Sequence, residues 1–261
     1  MMKSLYIAST GMAAQQMAIG VIAHNLANVS TLGYKKDVTE FQDLFYQTFR
    51  AAGSPTSLGA LPVGIQLGSG VQPLTVHKLF GQGDFEQTEQ SLDIAIEGGG
   101  FFQVVLPDGS TAYTRAGSFK LDSEGNVVSP QGFPLLPSLS IPSTTKNVSI
   151  SPEGVVSVTL AGAITPEVIG TIELARFINE AGLSALGKNV FQPTGASGEP
   201  LTGLPGQEGF GTLLQGSLES SNVNIADEMV KMIVAQRAYE LNSKAIQTSD
   251  EMLALVNSLK R

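Results

Sequence analysis

The sequence has no cysteine, no tryptophan and only two histidines in 261 residues. Without cysteine there is no disulfide framework, no thiolate nucleophile and no cysteine-based zinc site. His24 and His77 have no partner at metal-ligand spacing, so we interpret both as structural residues. Charge is also scarce: charged residues make up 15% of the chain, and Asp, Glu, Lys and Arg are absent from Ser4 through Tyr34. That uncharged segment is the first feature to explain.

Long apolar runs are missing too. The longest one near the N-terminus, Met17 to Ala23, contains a glycine and is bordered by Gln16 and His24. A membrane-spanning helix needs about 20 predominantly apolar residues, and a secretory signal needs a cleavage site after its apolar region. We therefore expect neither a membrane anchor nor a cleaved signal peptide.

The net charge of −8 comes from the middle of the chain, where residues 35–216 hold nine basic and seventeen acidic residues. An acidic surface excludes phosphate-backbone binding, which requires clustered Lys and Arg, so we expect no nucleic-acid partner. The abundance of glycine, with 29 residues, and of proline, with 13, is typical of a β-rich, turn-rich protein.

A heptad pattern runs through the uncharged N-terminal segment. Apolar residues recur at alternating steps of three and four, which predicts a helix with one packed seam. The flanks of the seam carry small and neutral polar residues, so we expect protein to surround this helix on most sides. The seam consists of Leu5, Ala8, Met12, Gln15, Ile19, Ile22, Leu26 and Val29.

The C-terminal segment predicts a longer helix with two seams on nearly opposite faces, with Asn224 as its N-cap. One seam can pack on the N-terminal helix, which leaves the other without a partner in a monomer. Such surplus apolar surface indicates self-association. The first seam is Met232, Ala235, Tyr239, Asn242, Ile246, Ser249, Leu253 and Val256; the second is Val234, Leu241, Ala245, Met252, Leu255 and Leu259.

Between the helices the apolar period changes to two, and turn signals such as Pro107-Asp108-Gly109 separate the segments. We predict an α+β fold, with N- and C-terminal helices pairing as a coiled coil and a mainly antiparallel β middle domain. The predicted domains are a helical domain of residues 1–44 and 217–261, an extended stretch of residues 45–72, and a β-rich outer domain of residues 73–216.

The extended stretch contains one amphipathic strand. Leu61, Val63, Ile65 and Leu67 alternate with proline, glycine and glutamine. One face of the strand is therefore apolar, and the other carries little side-chain bulk. Such a strand is suited to lying against another surface. The sequence leaves open whether that surface belongs to the same subunit or to a neighbour.

The sequence offers no catalytic constellation. Ser143-Thr-Thr-Lys146 matches the S-x-x-K pattern of serine acylases, but it lies between a proline and a β pattern, with no helix to present it. Gly98-Gly99-Gly100 precedes two phenylalanines and lacks the lysine of a phosphate loop. We therefore expect no enzymatic activity, no cofactor, no metal and no small-molecule substrate.

Both ends of the chain carry recognisable motifs. The segment from His24 to Lys36, HNLANVSTLGYKK, resembles the N-A-N-x-x-T-x-G-[YF]-[KR] signature of bacterial flagellar rod and hook proteins, departing from it at His24, where Asn is frequent. SNV at 221–223, Met232-Ile233 and QRAYELNSK at 236–244 resemble the other end of that family. The resemblance continues through GGGFFQV, YTRAGSF and PEGVVS, and so covers nearly the whole chain.

The resemblance implies a function. In this family the terminal helices form an inner coiled-coil layer around a central channel, and the β domain forms the outer wall. Chain length and residues 45–71 favour the part of the rod that joins the hook. The implied partners are further copies of this chain in a helical homopolymer, the proximal rod proteins, the hook protein, the surrounding P and L ring proteins and the flagellar type III export apparatus. The implied location is the basal-body rod, from the periplasm to the outer membrane, reached without a cleaved signal peptide.

Neutral polar residues gain a role in such a layer: Gln15 would fix register, Asn25 and Asn28 would bond neighbouring groups, and Gly33 would end the first helix in a left-handed cap. The residues predicted to carry assembly are Leu5, Met12, Gln15, Ile19, Ile22, Asn25, Leu26, Asn28, Thr31, Gly33 and Tyr34 at the N-terminus; Met232, Gln236, Arg237, Tyr239, Leu241, Asn242, Ile246, Met252, Leu253 and Leu259 at the C-terminus; and Leu61, Val63, Ile65 and Leu67 in the strand.

Two alternatives stay open. One is a periplasmic β-rich binding module with a helical dimerisation stalk, which would form a finite dimer. The other is a hook or proximal rod member of the same family.

Overall fold

The computed structural model of the chain describes residues 2–53, 55–56, 59–60, 62–162 and 165–258. Helix α1 spans Met2–Ala27 and helix α2 spans Ile225–Ser258. The strands are β1 (Asp37–Asp43), β2 (Tyr46–Arg50), β3 (Pro55–Thr56), β4 (Gly59–Ala60), β5 (Ile65–Gly68), β6 (Val71–Lys78), β7 (Phe85–Gln87), β8 (Ile94–Glu97), β9 (Phe101–Val105), β10 (Thr111–Thr114), β11 (Lys120–Leu121), β12 (Val127–Val128), β13 (Leu135–Leu136), β14 (Thr145–Ile150), β15 (Val155–Leu160), β16 (Glu167–Thr171), β17 (Leu174–Arg176), β18 (Ser184–Gly187), β19 (Val190–Gln192), β20 (Leu201–Gly203), β21 (Thr212–Gln215) and β22 (Ser217–Glu219).

The chain divides into two compact units. The first unit comprises the described parts of 1–26, 37–77 and 224–261, and the second unit comprises 27–36 and the described parts of 78–223. The chain therefore passes between the units four times, after residues 26, 36, 77 and 223.

The first unit contains both helices and three strand pairs, β1 with β6, β2 with β5, and β3 with β4. Asn224 caps α2 as predicted, because its Oδ1 accepts hydrogen bonds from the backbone N–H groups of Ala226 and Asp227, at 2.9 and 3.3 Å. The capped helix contacts α1, and a Cβ at Gly11 would lie only 3.0 Å from Asn242 Nδ2. The glycine therefore permits the two helices to approach closely.

By length and composition alone, the Lys3–Ala27 part of α1 could cross a membrane. This was not predicted from the sequence, because only uninterrupted apolar runs were considered. The same composition suits a helix that protein surrounds. Its contacts with α2, and the amides of Gln15, Gln16 and Asn25 along it, favour burial by protein.

The second unit is built from antiparallel strand pairs around its own core. One sheet has the order β18-β19-β10-β9-β17-β20, with β13 also pairing with β9, and a second sheet has the order β14-β15-β16. Phe102 and Phe119 meet edge to face in the main core at 5.2 Å, and Phe101 and Phe191 belong to a second aromatic cluster. The predicted terminal helices and mainly antiparallel β middle are thus confirmed.

Candidate assembly surface

One face of α2 is covered by α1. Ala235 and Ser249 are buried on this face, and Ser249 Oγ lies 3.4 Å from Ser4 Oγ. This face corresponds to the first predicted seam. Of its other members, Met232, Asn242, Ile246 and Leu253 are half-buried, while Tyr239 and Val256 are exposed.

The opposite face of α2 carries an exposed apolar stripe, which includes most of the second predicted seam. Helical spacing aligns its members along the helix, and the described residues of the chain cover none of them. The stripe consists of Val230 (61% exposed), Val234 (62%), Leu241 (67%), Met252 (49%) and Leu255 (61%). Gln236 and Arg237 are exposed beside it, and Leu259 lies outside the described residues.

Helix α1 buries mainly small apolar side chains, with Ile22 as its one large buried apolar residue among those that the structure describes. Ala8, Ala14, Ala18 and Ile22 are buried, whereas the predicted seam residues Leu5, Met12, Gln15, Ile19 and Leu26 are only half-buried. Small residues allow close approach of two backbones but bury little apolar area each. Of this alanine face, the predicted seam contained Ala8 and Ile22, whereas sequence reasoning missed Ala14 and Ala18, whose only signal is their regular spacing before Ile22. Most of the apolar area of α1 thus stays partly accessible.

A polar cluster fixes α1 against its neighbours within the first unit. The Asn25 amide exchanges two hydrogen bonds with the Asp37 backbone, both 2.8 Å long, and donates a third to Glu228 Oε2 at 3.2 Å. Glu228 in turn pairs with Lys231 at 2.7 Å, and both Asn25 and Glu228 are buried. The prediction that Asn25 bonds neighbouring groups is confirmed, although Glu228 was not foreseen. A groove of about 380 Å³ lies beside this cluster.

The signature segment at 28–36 folds into the second unit. The Thr31 hydroxyl lies 3.1 Å from Asn28 Oδ1, and Tyr34 is buried with the Lys78 ammonium 4.8 Å above its ring. Gly33 has the predicted positive φ, +66°, but α1 ends at Ala27, so the residue does not cap the helix. Instead a Cβ at Gly33 would lie 2.7 Å from the backbone nitrogen of Ala116. Close backbone approach therefore accounts for the glycine.

A buried ion network lies beneath this segment. Glu219 pairs with Lys35 at 2.6 Å and with Arg115 at 2.9 Å, and the side chains of Lys35 and Glu219 have no exposed surface. Backbone groups complete the network: Lys35 donates to Gly81 O, Arg115 to Gly98 O and Gly100 O, and Gly83 N–H donates to Glu219. Burial lowers the pKa of Lys35 although the Glu219 carboxylate opposes the change.

The predicted amphipathic strand lies on β5 and the turn before it. Tyr46 pairs with Gly68 and Gln47 with Leu67 in the antiparallel β2–β5 hairpin. Val63, Ile65 and Leu67 are exposed, as are Phe45 and Phe49 nearby, and Leu61 lies outside the described residues. The hairpin thus adds a second exposed apolar surface to the first unit.

The chemical motifs have no catalytic setting. Ser143 lies in a turn and Lys146 lies on β14, so they are not presented by one helical turn as the S-x-x-K pattern requires. Gly98 and Gly100 adopt positive φ before β9, so this glycine run forms a turn that leads into a strand and not into a helix. Among the described residues, no group of three or more His, Asp or Glu side chains could hold a metal ion.

Comparison with known families gives three matches in chain order. Residues 5–35 match the family described as flagella basal body rod protein, residues 95–158 match the flagellar hook protein FlgE/F/G D1 domain, and residues 214–259 match the flagellar basal body rod FlgEFG protein C-terminal region. The first and last matches contain the two terminal motifs. The middle match lies wholly within the second unit.

Full-length relatives agree with these matches. The flagellar basal-body rod protein FlgG of Borreliella burgdorferi is 51% identical and covers 100% of both chains. Its counterpart from Buchnera aphidicola of Acyrthosiphon pisum is 50% identical over 99% of this chain and 100% of its own. The protein of the same name from Bacillus subtilis is 39% identical over 100% of both.

Proposed function

We propose, since the chain belongs to the family of flagellar basal-body rod proteins, that it is a structural subunit of the bacterial distal rod, which self-assembles into a hollow helical tube and acts as a drive shaft. Its relatives of up to 51% identity over the full length bear the name of that rod protein. Such a subunit transmits torque through packed surfaces and requires no chemical step.

The exposed stripe on α2 carries this proposal. A soluble monomer rarely leaves several large apolar side chains aligned on one helix face in water, because burying each contributes about 1.5–3 kcal/mol. On this helix the stripe lies opposite the face that contacts α1, so folding of a single chain does not cover it. Contacts between unlike surfaces that do not close into a ring propagate as a helix.

In the inner layer of the proposed tube, α1 and α2 pair as a coiled coil. The predicted domain of residues 1–44 and 217–261 supplies this layer, except for 27–36 and 217–223, which fold with the second unit. The alanine face of α1 and its polar cluster support that pairing. Residues 73–216 form the outer wall. In this arrangement Leu5, Met12, Ile19 and Leu26, half-buried in one chain, become covered by neighbouring copies.

The finer location follows from the same proposal. The subunit joins the proximal rod proteins to the hook protein, passes through the P and L rings, and reaches the periplasm and outer membrane through the flagellar type III export apparatus. The uncharged Ser4–Tyr34 segment suits a layer in which protein surrounds the helix.

The substitution Leu241→Asp tests the role of the stripe. We expect the purified variant to form no tubes in electron micrographs, because the carboxylate would have to be buried between copies. The free energy of unfolding of the monomer should change by less than about 0.5 kcal/mol, since the residue is exposed there. Gln247→Asp adds the same charge at an exposed position outside the stripe and should still allow tubes.

Tubes formed by Leu241→Asp would refute the role of the stripe. A finite dimer of the unaltered protein at high concentration would refute the rod itself and favour a β-rich binding module with a helical dimerisation stalk.

The β2–β5 hairpin is proposed to contact neighbouring subunits through Val63, Ile65 and Leu67, together with Leu61. Deleting residues 53–68 should leave tubes able to form but easier to bend, because these side chains are exposed in the single chain. Measuring tube curvature in micrographs checks this expectation. Unchanged straightness and stiffness after the deletion would contradict it.

A further inference from the structure

The chain passes between the units at four points. At three of these points, the residues that belong to the second unit are joined to one another by hydrogen bonds. These points are the passages after residues 36, 77 and 223. Leu79 N–H donates to Lys36 O at 2.9 Å, and the Lys78 ammonium donates to Lys35 O at 3.2 Å. These bonds join the first of the three passages to the second.

Asn222 joins both of them to the third. Its Oδ1 accepts a hydrogen bond from Lys36 N–H at 2.8 Å, and its Nδ2 donates to Leu79 O at 2.8 Å and to Gly81 O at 3.0 Å. Its backbone N–H also donates to Tyr34 O at 3.4 Å. Asparagine is suited to this position because one planar amide provides both an acceptor and two donors.

The buried ion network holds the same segments in place. Glu219, three residues before Asn222, binds Lys35, the neighbour of Lys36, and its backbone carbonyl accepts a hydrogen bond from Gly33 N–H at 2.8 Å. A fully buried carboxylate held by two cations and a backbone N–H has little freedom to move. Asn222 therefore bonds to segments that are themselves fixed.

We propose that Asn222 is a positioning residue that ties these three passages into one clamp, so that torque leaves the second unit through three bonded chains instead of rotating about separate linkers. This inference rests on the proposed rod function. A lone linker twists easily because every residue offers two soft dihedral angles. Cross-bonding three adjacent passages removes their independent rotation, as a shaft that transmits torque requires.

Two substitutions and one control test the clamp. Asn222→Ala removes all three side-chain bonds, whereas Asn222→Asp keeps the acceptor for Lys36 N–H and loses both amide donors. Asn179→Ala is the control, because Asn179 Nδ2 makes an exposed bond to Ala196 O and takes no part in the bonds that join the three passages.

In the folded monomer, amide exchange at Lys36 should speed up by about tenfold in Asn222→Ala, as expected for the loss of one hydrogen bond, and stay unchanged in Asn222→Asp and in the control. In assembled tubes, the persistence length measured from micrographs should fall by at least about twofold in both Asn222 variants and not in the control. A purely local structural role would change exchange but not tube bending.

The outcomes separate the clamp from the rod. If unaltered protein forms straight tubes and both Asn222 variants bend no more than Asn179→Ala, the clamp is refuted and the rod stands. If unaltered protein forms no tubes, the proposed function fails and the clamp fails with it. Should Asn222→Ala not fold, Asn222→Asp decides the question by the same bending measurement.

Discussion

The two units of the chain bury different kinds of side chain. In the second unit, Phe101, Phe102 and Phe119 are at most 1% exposed and lie in aromatic pairs. In the first unit the buried residues of α1 are mostly alanines, while Leu241 on α2 remains 67% exposed. Since the hydrophobic gain scales with apolar area removed from water, the second unit is stabilised by its own residues. The first unit leaves much of its apolar area exposed, and the proposed assembly would cover it.

Amide exchange on dilute protein tests whether the two units differ in local stability. We expect amides of residues 5–30 to exchange at least about a thousandfold faster than those of β9 and β10, because local opening costs little where few large side chains are buried. Mass spectrometry of peptides from both units would measure the difference. Equally strong protection in residues 5–30 would show that the helices are already stable in one chain.

A second test compares one buried glutamate from each unit. Glu219→Gln should lower the free energy of unfolding by about 3–5 kcal/mol, because Lys35 and Arg115 would lose the buried carboxylate that pairs with both of them. Glu228→Gln should cost only about 1 kcal/mol, because its cation Lys231 has 53% of its side chain exposed to water. Urea unfolding followed by circular dichroism measures both.

The two variants act as controls for each other, since both replace a carboxylate by an amide of the same shape. Equal losses of stability would mean that the two units hold their buried charges equally tightly. That result would contradict the view that the second unit is the more self-sufficient one.

Much of the fold could be predicted from local pattern. Heptad spacing predicted both helices, period-two segments with turn signals predicted the antiparallel middle, and Asn224 was recognised as a cap because capping depends on adjacent residues. The exposed seam on α2 was predicted for the same reason. Each of these features is encoded within a few residues of sequence.

The buried contacts could not be predicted in this way. Lys35, Arg115 and Glu219 are separated by 80 and 104 residues, and nothing in periodicity says which charges meet. Gly33 was assigned to a helix cap because its need for positive φ is readable locally, whereas its close approach to Ala116 is not. Ala14 and Ala18 on the alanine face of α1 were missed because the packed seam was sought mainly among large residues, whereas two helices approach closely through small ones.

The smallest expected effect concerns Glu180, a half-buried carboxylate of the second unit. It tests whether the cations of that unit fully offset the cost of burying this charge. Burial raises the pKa of Glu180, and Arg115, Arg176 and Lys35 oppose the change without reversing it. As pH rises through the raised pKa, the unfolded chain has already lost this proton, so ionisation of Glu180 costs the folded state stability at neutral pH. Glu180→Gln should therefore stabilise the protein slightly at pH 7, by less than about 0.5 kcal/mol.

The sign of this effect can be checked by its pH dependence. The advantage of Glu180→Gln should shrink as the pH falls below the ordinary carboxyl value of 4.5, because the native glutamic acid is then neutral in both states. Thermal unfolding at several pH values measures it, with Glu199→Gln as a control that removes one charge at an exposed position. A variant that is instead less stable than the unaltered protein at pH 7, and no different in acid, would show that attraction to Arg115 outweighs burial. Glu180, like Glu219, would then be a carboxylate whose cost of burial is fully offset by neighbouring cations of the second unit.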